Sequence, residues 1–215
     1  MQDVGIGLRI GNINVNNTGC ADDVALLSTQ LSDAQIMVNM ALDFAKCELQ
    51  PKKSVAIHIR GNNKQCETAN EKLNMGNITI PEVEQATHLG IIRTTMKHNI
   101  QTNVDENITK ARRSAYSLVG CGFHGHNGLD PESLLHIYKT YITPVLLYGM
   151  ELLLPSSQPL KQLELFQKRI LKQILSLPMS CPDPAVYILT GILPNKGNNK
   201  ITELRTILQR ESQNS

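Results

Sequence analysis

The apolar residues of this chain change their period part-way along it, and that change limits the fold more than any other feature. Up to about Arg93 they recur in twos between turn signals; beyond it they recur at 3.6, the helical repeat. In the first stretch Ile6 to Ile10 predicts a strand, Gly11-Asn12 a turn, Ile13 to Val15 an extended piece and Asn16-Asn17-Thr18-Gly19 a second turn. Cys20-Ala21-Asp22-Asp23-Val24-Ala25-Leu26-Leu27-Ser28 sets two acids between small and apolar residues, which predicts a buried hairpin with a polar tip. Ser32 with Gln35 fits a capping box, and Ile36, Met37, Met40, Ala41 and Phe44 repeat at helical spacing as ordinary helix core. That helix should end near Cys47, because Pro51 cannot occupy its interior. Ser54 to Arg60 alternates as a strand does, Gly61 to Gly76 reads as a polar loop with a short helix at its centre, and Ile78 to Ile80 with Thr87 to Ile92 reads as a final strand pair.

In the second stretch Ile100, Val104, Ile108, Ala111, Ala115 and Leu118 form one apolar helix face. Gly120 to Gly128 is a glycine-rich break, and Pro131 opens a second helix through Ser133, Leu134, Ile137 and Tyr138, which Pro144 either bends or restarts. A third helix is expected from Leu160 to Leu175, stopped by Pro178; Cys181-Pro182-Asp183-Pro184 reads as a linker and Ile201 to Leu208 as a last short helix. The fold class is therefore α+β: a strand-rich region over 1–93, a helical region over 94–178 and a tail over 179–215.

Composition narrows the function classes. A hydrophobic fraction of 41% with 19% charged residues belongs to a globular chain, and with 4% aromatics and no Trp the core must rest on Leu, Ile, Val and Met. A net charge of +2 is nearly neutral, so a nucleic-acid surface would have to come from local clustering. The cysteines, Cys20, Cys47, Cys66, Cys121 and Cys181, are odd in number, and no basic-then-apolar segment opens the chain. An intracellular setting, cytoplasm or nucleus, is expected, and the Asn-x-Thr triplets at Asn16, Asn77 and Asn107 are read as chance. No membrane partner is expected: the longest apolar stretch, Val145 to Leu154, is interrupted by Glu151 and too short to span a bilayer.

Some residues carry chemistry in their pattern. At a tight hairpin tip Asp22 and Asp23 could both reach one solvated pocket, and paired carboxylates resist joint ionisation unless a cation compensates them; hard oxygen ligands suit Mg²⁺. The bland reading is that Asp favours turns for its own hydrogen bonding. On the third helix Lys161, Lys168 and Lys172 fall within an arc of about 40°, with Leu163, Phe166, Ile170 and Ile174 opposite. Such a stripe could follow a phosphate backbone or be a solvated face. Cys121, His124 and His126 sit close in sequence, but a zinc site wants four ligands, and a loop between helices is the better reading.

Gly5 to Ser28 resembles the palm hairpin of reverse transcriptases, whose tip reads Tyr-Ala-Asp-Asp or Phe-Ala-Asp-Asp before an apolar strand. Leu49-Gln50-Pro51-Lys52-Lys53-Ser54 is similar to the family's Leu-Asn-x-x-Lys-Ser, Thr87-His88-Leu89-Gly90 to its primer-grip hairpin, and Pro144-Val145-Leu146-Leu147-Tyr148-Gly149-Met150-Glu151 to the thumb of non-LTR retrotransposon polymerases. The resemblance implies an incomplete polymerase palm followed by a helical thumb-like region, and RNA-templated DNA synthesis with an RNA template and a DNA primer as partners. Asp22 would ligate the catalytic Mg²⁺ ions and Asp23 assist; Lys53 would sit near the incoming triphosphate; His88, Leu89 and Gly90 would hold the primer end; Lys161, Lys168 and Lys172 would follow the template–primer duplex. Cys20 stands where the family has an aromatic that supports primer and nucleotide. The family's first metal-binding Asp lies on an earlier strand, and Asp3, the only acid before Asp22, is too near the hairpin to be it. The chain alone is therefore expected to be inactive and to self-associate through its open palm edge. The alternative is a relic that binds nucleic acid or protein without catalysis.

Overall fold

A computed structural model describes residues 6–44, 50–59, 72–95, 99–127 and 129–192. The chain divides into two compact units, Met1–Asn99 and Ile100–Ser215. The fold is α+β, with small antiparallel hairpins in the first unit and a mostly helical second unit.

The first unit holds four two-stranded antiparallel ladders among its described residues. β1 (Leu8–Ile10) pairs with β2 (Ile13–Val15), and β3 (Asn17–Cys20) with β4 (Asp23–Leu26). The chain turns from β2 into β3 at Asn16, which is buried and whose carbonyl accepts from the Leu27 N–H at 2.8 Å. Gly7 lies so close to it that a Cβ there would stand 2.6 Å from the Asn16 Cβ, and its φ of +122° is open only to glycine. α1 (Leu31–Phe44) begins before Ser32, so the expected capping box does not form; Ser28 Oγ instead accepts from the Gln30 N–H. Gln35 is used otherwise: its side chain both accepts from the Asn74 N–H and donates to the Asn74 carbonyl, tying α1 to the strand Asn74–Met75. The buried face of α1 is Met37 and Val38, whereas Ile36 and Phe44 are 45% and 88% exposed, so the expected apolar face is wrong at those two positions. Cys47, the expected end, lies outside the described residues.

Further differences concern strands. Ser54 to Ile59 is joined through one isolated parallel bridge, Ala56 to Glu82, rather than a ladder. Ile78 to Ile80 and Thr87 to Ile92 are not one pair: β5 (Asn74–Met75) pairs with β6 (Ile78–Thr79), and β7 (Gln85–His88) with β8 (Ile91–Thr94). Each hairpin closes locally because a short turn costs less ordering than a distant pairing. Val38, Met75 and Ile80 form the small core beneath, with Leu26, Leu42, Ala56 and Leu73 packed against it. The Asn-rich loop over 61–71 and the short helix from Ile201 to Leu208 lie outside the described residues.

The second unit follows the 3.6 period closely. α2 (Asn99–Gly120) buries Val104, Ala111 and Ala115. After a 3₁₀ turn at Gly125–Asn127, α3 (Pro131–Ile137) starts at Asp130, whose carboxylate accepts from the Ser133 N–H at 2.8 Å. The helix then widens into a π turn over Tyr138–Ile142 and continues as α4 (Thr143–Leu146). Pro144 accounts for the widening: it has no N–H to donate to Thr140, and its ring would press on that carbonyl in an α-helix. α5 (Met150–Leu153) and α6 (Ser157–Ile174) follow, and the expected linker Cys181-Pro182-Asp183-Pro184 runs at Asp183 into a further helix, α7 (Asp183–Thr190). Tyr138, Ile142, Leu146, Met150, Leu163 and Ile170 fill the centre of one continuous core. Among the described residues no helix is long and apolar enough to cross a membrane.

α6 closes with the Leu177 N–H reaching back to the Lys172 carbonyl at 2.8 Å, a Schellman arrangement that places Ser176 at φ +55°. Glycine is the usual residue there because a Cβ is disfavoured in the left-handed region. Ser176→Gly is therefore expected to stabilise the helical unit by about 0.5–1 kcal/mol. Urea unfolding followed by circular dichroism checks the sign; a destabilised variant would mean the serine hydroxyl matters more than its backbone strain.

Candidate functional site

The two acids stand where a two-residue hairpin turns. Cys20 faces Asp23 across β3 and β4, leaving Ala21 and Asp22 as the tip, and Ala21 is held at φ +54°. A positive φ at the first central residue is a glycine position in hairpins, so Ala21 carries backbone strain of about 1–2 kcal/mol. The expected burial of this hairpin is not found. β3 is exposed along its length, as are Asp23 and Val24, and only Ala25 and Leu26 turn half inward. With Thr18 and Asn17 opposite them, these strands have too little apolar surface to be covered.

Asp22 and Asp23 are both exposed, and among the described residues no group of three or more His, Cys, Asp or Glu is placed to hold a metal ion. Two adjacent carboxylates do not supply the near-octahedral oxygen shell of even one Mg²⁺. The residues described here thus do not fit a complete two-metal site. Lys53 is exposed in the turn that follows Gln50, its N–H donating to the Gln50 carbonyl, and among the described residues it makes no ion pair with Asp22 or Asp23. The Thr87-His88-Leu89-Gly90 segment forms a second tight hairpin. His88 faces Ile91 across β7 and β8, and the tip residues Leu89 and Gly90 have φ of +49° and +74°, the left-handed pair of a type I′ turn. Gly90 adopts this freely; Leu89 does not, and its side chain remains 43% exposed.

On α6 the lysine row departs from the sequence reading. Leu163, Phe166, Ile170 and Ile174 are buried as expected, and Lys161 is exposed. Lys172, however, is only 7% exposed, and Lys168 is largely covered. The reason is α7. Asp183 at its head accepts from Lys168 Nζ at 2.8 Å and from Lys172 Nζ at 3.2 Å; Lys172 also donates to the Met179 carbonyl, and Lys168 lies 3.7 Å from Glu164. The hydrogen bond from Lys168, then that from Lys172, holds the Asp183 carboxyl below the ordinary carboxylate range. Tyr187 donates to Glu164 at 3.4 Å, and burial first, then the Glu164 charge, pushes its phenol up. Of the three lysines Lys161 is thus exposed, whereas Lys168 and Lys172 are enclosed in an ion cluster with Asp183 and Glu164.

Sequence reasoning missed Asp183 and Glu164, and it missed Asn107. Asn107 is 5% exposed and donates to the Leu146 and Tyr148 carbonyls at 3.3 and 2.8 Å, inside the Pro144–Glu151 segment. The Asn107-Ile108-Thr109 triplet is thereby closed to a glycan. Cys121, His124 and His126 occupy the break after α2, where the two imidazole rings meet edge-on at 5.9 Å. Beside them an open cleft of about 530 Å³ is lined by Tyr116, His126, Lys172, Ser176 and Met179 among others. Comparison with known proteins returned no match, whether to a family profile, a curated protein or a solved structure.

Proposed function

We infer that the chain is the palm-hairpin-to-thumb portion of an RNA-directed DNA polymerase of the non-LTR retrotransposon type. One observation carries the reading. The Ala-Asp-Asp and His-Leu-Gly motifs, picked out by resemblance, both fall at two-residue hairpin tips, and at each tip a non-glycine residue, Ala21 or Leu89, is held at positive φ. Strained backbone that the surroundings maintain is concentrated at functional sites. On this reading Asp22 and Asp23 present carboxylate oxygens at an exposed tip, Cys20 lies opposite Asp23, and Leu89-Gly90 offers an exposed apolar edge to the primer. These acids need a further carboxylate, from the earlier strand that the family uses, before metal-assisted transfer can occur.

The test is complementation. Fused in frame behind the fingers and first palm strand of an active non-LTR reverse transcriptase, the chain is expected to restore primer extension on an RNA template with Mg²⁺, while the chain alone gives none. Asp22→Asn in the fusion should lower extension by more than about 100-fold, since even outer partners of metal ligands are worth 10–100-fold. A folded fusion that binds an RNA–DNA hybrid but never extends it would sink the polymerase reading and favour the non-catalytic relic. Extension by the isolated chain, lost in Asp22→Asn, would show instead that the site is complete within these residues.

A further inference from the structure

The geometry points to Asp183 as an internal stand-in for phosphate: Lys168 and Lys172 form a phosphodiester-binding site on α6 that the head of α7 covers. The inference rests on the nucleic-acid reading above and adds to it a masked surface. Its starting point is the asymmetry of the ion cluster. Lys172 and Lys168 have side chains 9% and 15% exposed, whereas the Asp183 carboxylate that bridges them is 46% exposed. The ammonium groups thus form the floor and the anion sits at the mouth, open to solvent.

Chemistry favours an exchangeable anion there. Two ammonium groups converging on two oxygens of one carboxylate, at 2.8 and 3.2 Å, match what two non-bridging phosphate oxygens would accept. Leaving Lys172 covered without its anion is costly, so an anionic ligand is favoured to take the place of Asp183. α7 buries few of its own residues. Val186 and Thr190 are its buried residues, while Ile188 and Leu189 are 81% and 63% exposed. Lys161 and Arg169 are exposed on α6 beside the cluster. With Asp183 displaced, Lys161, Lys168, Arg169 and Lys172 give α6 an excess of positive charge that Glu164, 3.7 Å from Lys168, offsets only in part; with Asp183 in place, Lys168 and Lys172 are both neutralised.

The experiment compares the full chain with Asp183→Asn, Asp183→Glu and the triple variant Asp183→Asn/Lys168→Gln/Lys172→Gln. Circular dichroism checks folding for each. Binding of a labelled RNA–DNA hybrid is titrated from 50 to 200 mM salt. Each phosphate contact contributes about −0.9 to the slope of log affinity against log salt, so Asp183→Asn should steepen it by about 1–2 and tighten binding about tenfold at low salt. Asp183→Glu keeps the covering anion and should match the parent, and the triple variant should lose the gain. A second arm follows thermal unfolding with inorganic tripolyphosphate, which should raise the midpoint of Asp183→Asn and leave the parent unchanged. Equal slopes for parent and Asp183→Asn, with both binding hybrid, would overturn the masked site while leaving the nucleic-acid reading intact. Stabilisation of Asp183→Asn by tripolyphosphate with no hybrid binding by any variant would keep the covered anion site but remove nucleic acid as its partner. No response to either probe would overturn the inference altogether.

Discussion

Leu163→Ala is expected to lower the stability of the helical unit by about 3–5 kcal/mol, the upper range for a leucine deleted from a close-packed interior. Leu163 is fully buried on α6, within the core that also contains Val104, Tyr138, Leu146 and Ile170. Those neighbours come from several helices, so none can move into the vacated space without disturbing its own packing. Leu165, two positions along, is 61% exposed, and Leu165→Ala should fall within about 0.5 kcal/mol of the parent. Paired urea titrations measure both, and an unchanged slope would mean that the midpoint shift reports stability. Similar costs at the two positions would mean that α6 buries a different face.

Asn107→Leu should cost about 2–4 kcal/mol despite keeping the branched heavy-atom skeleton, because it removes the donor serving two main-chain carbonyls at a buried position. The Leu146 and Tyr148 carbonyls lie where α4 gives way to α5 and Gly149 takes φ +72°, so the helical ladder is interrupted there and a side chain supplies the donor. Asn107→Asp provides a sharper comparison. An ionised carboxylate only accepts, so it would face two carbonyls with no proton to offer; in acid it regains one donor. The Asp variant should therefore recover part of its lost stability, relative to the parent, as pH falls through its pKa, whereas the Leu variant should not. Thermal unfolding across that range separates them, and a neutral Asn107→Leu would remove the amide from the account of this corner.

Where the sequence spoke clearly, one local rule was enough. Ile100, Val104, Ile108, Ala111 and Ala115 repeat without interruption, and α2 spans them all. The Asp22 tip was legible as a hairpin turn, whereas Thr87 to Ile92 reads as a strand and the turn at Leu89-Gly90 is hidden by a leucine in a left-handed position. α7 was hidden by its first residues: Pro182-Asp183-Pro184 reads as a linker, yet a proline is accommodated in a first turn, and Gly191, left-handed at φ +61°, marks the end. The cover over the lysine row was not legible for a longer-range reason. Helical angles place Lys168 and Lys172 correctly on one face, but they carry no information about what covers that face, and the covering carboxylate arrives eleven residues after Lys172 along the chain. In α1 the repeat through Ile36 and Phe44 is regular, but the small core takes up Val38 with Leu42 against it, and Ile36 and Phe44 stay exposed. Burial at those positions is decided by the volume of the partners and not by the period.

The π turn at Tyr138–Ile142 has a consequence for how this stretch can change length. From Pro131 to Leu146 the backbone is one uninterrupted helical path carrying a surplus residue in its widened turn. Loss of one residue inside α6 would rotate everything beyond it by 100° and carry Lys172 away from Asp183. Loss of one residue inside the widened turn would leave the downstream faces nearly where they are, because the turn would contract to ordinary α geometry. That contraction would bring the Pro144 ring against the carbonyl four residues before it, so the deletion is compatible with the helix only alongside a non-proline at 144. Length at 138–142 and residue type at 144 are thus one inherited character, able to change together and not separately.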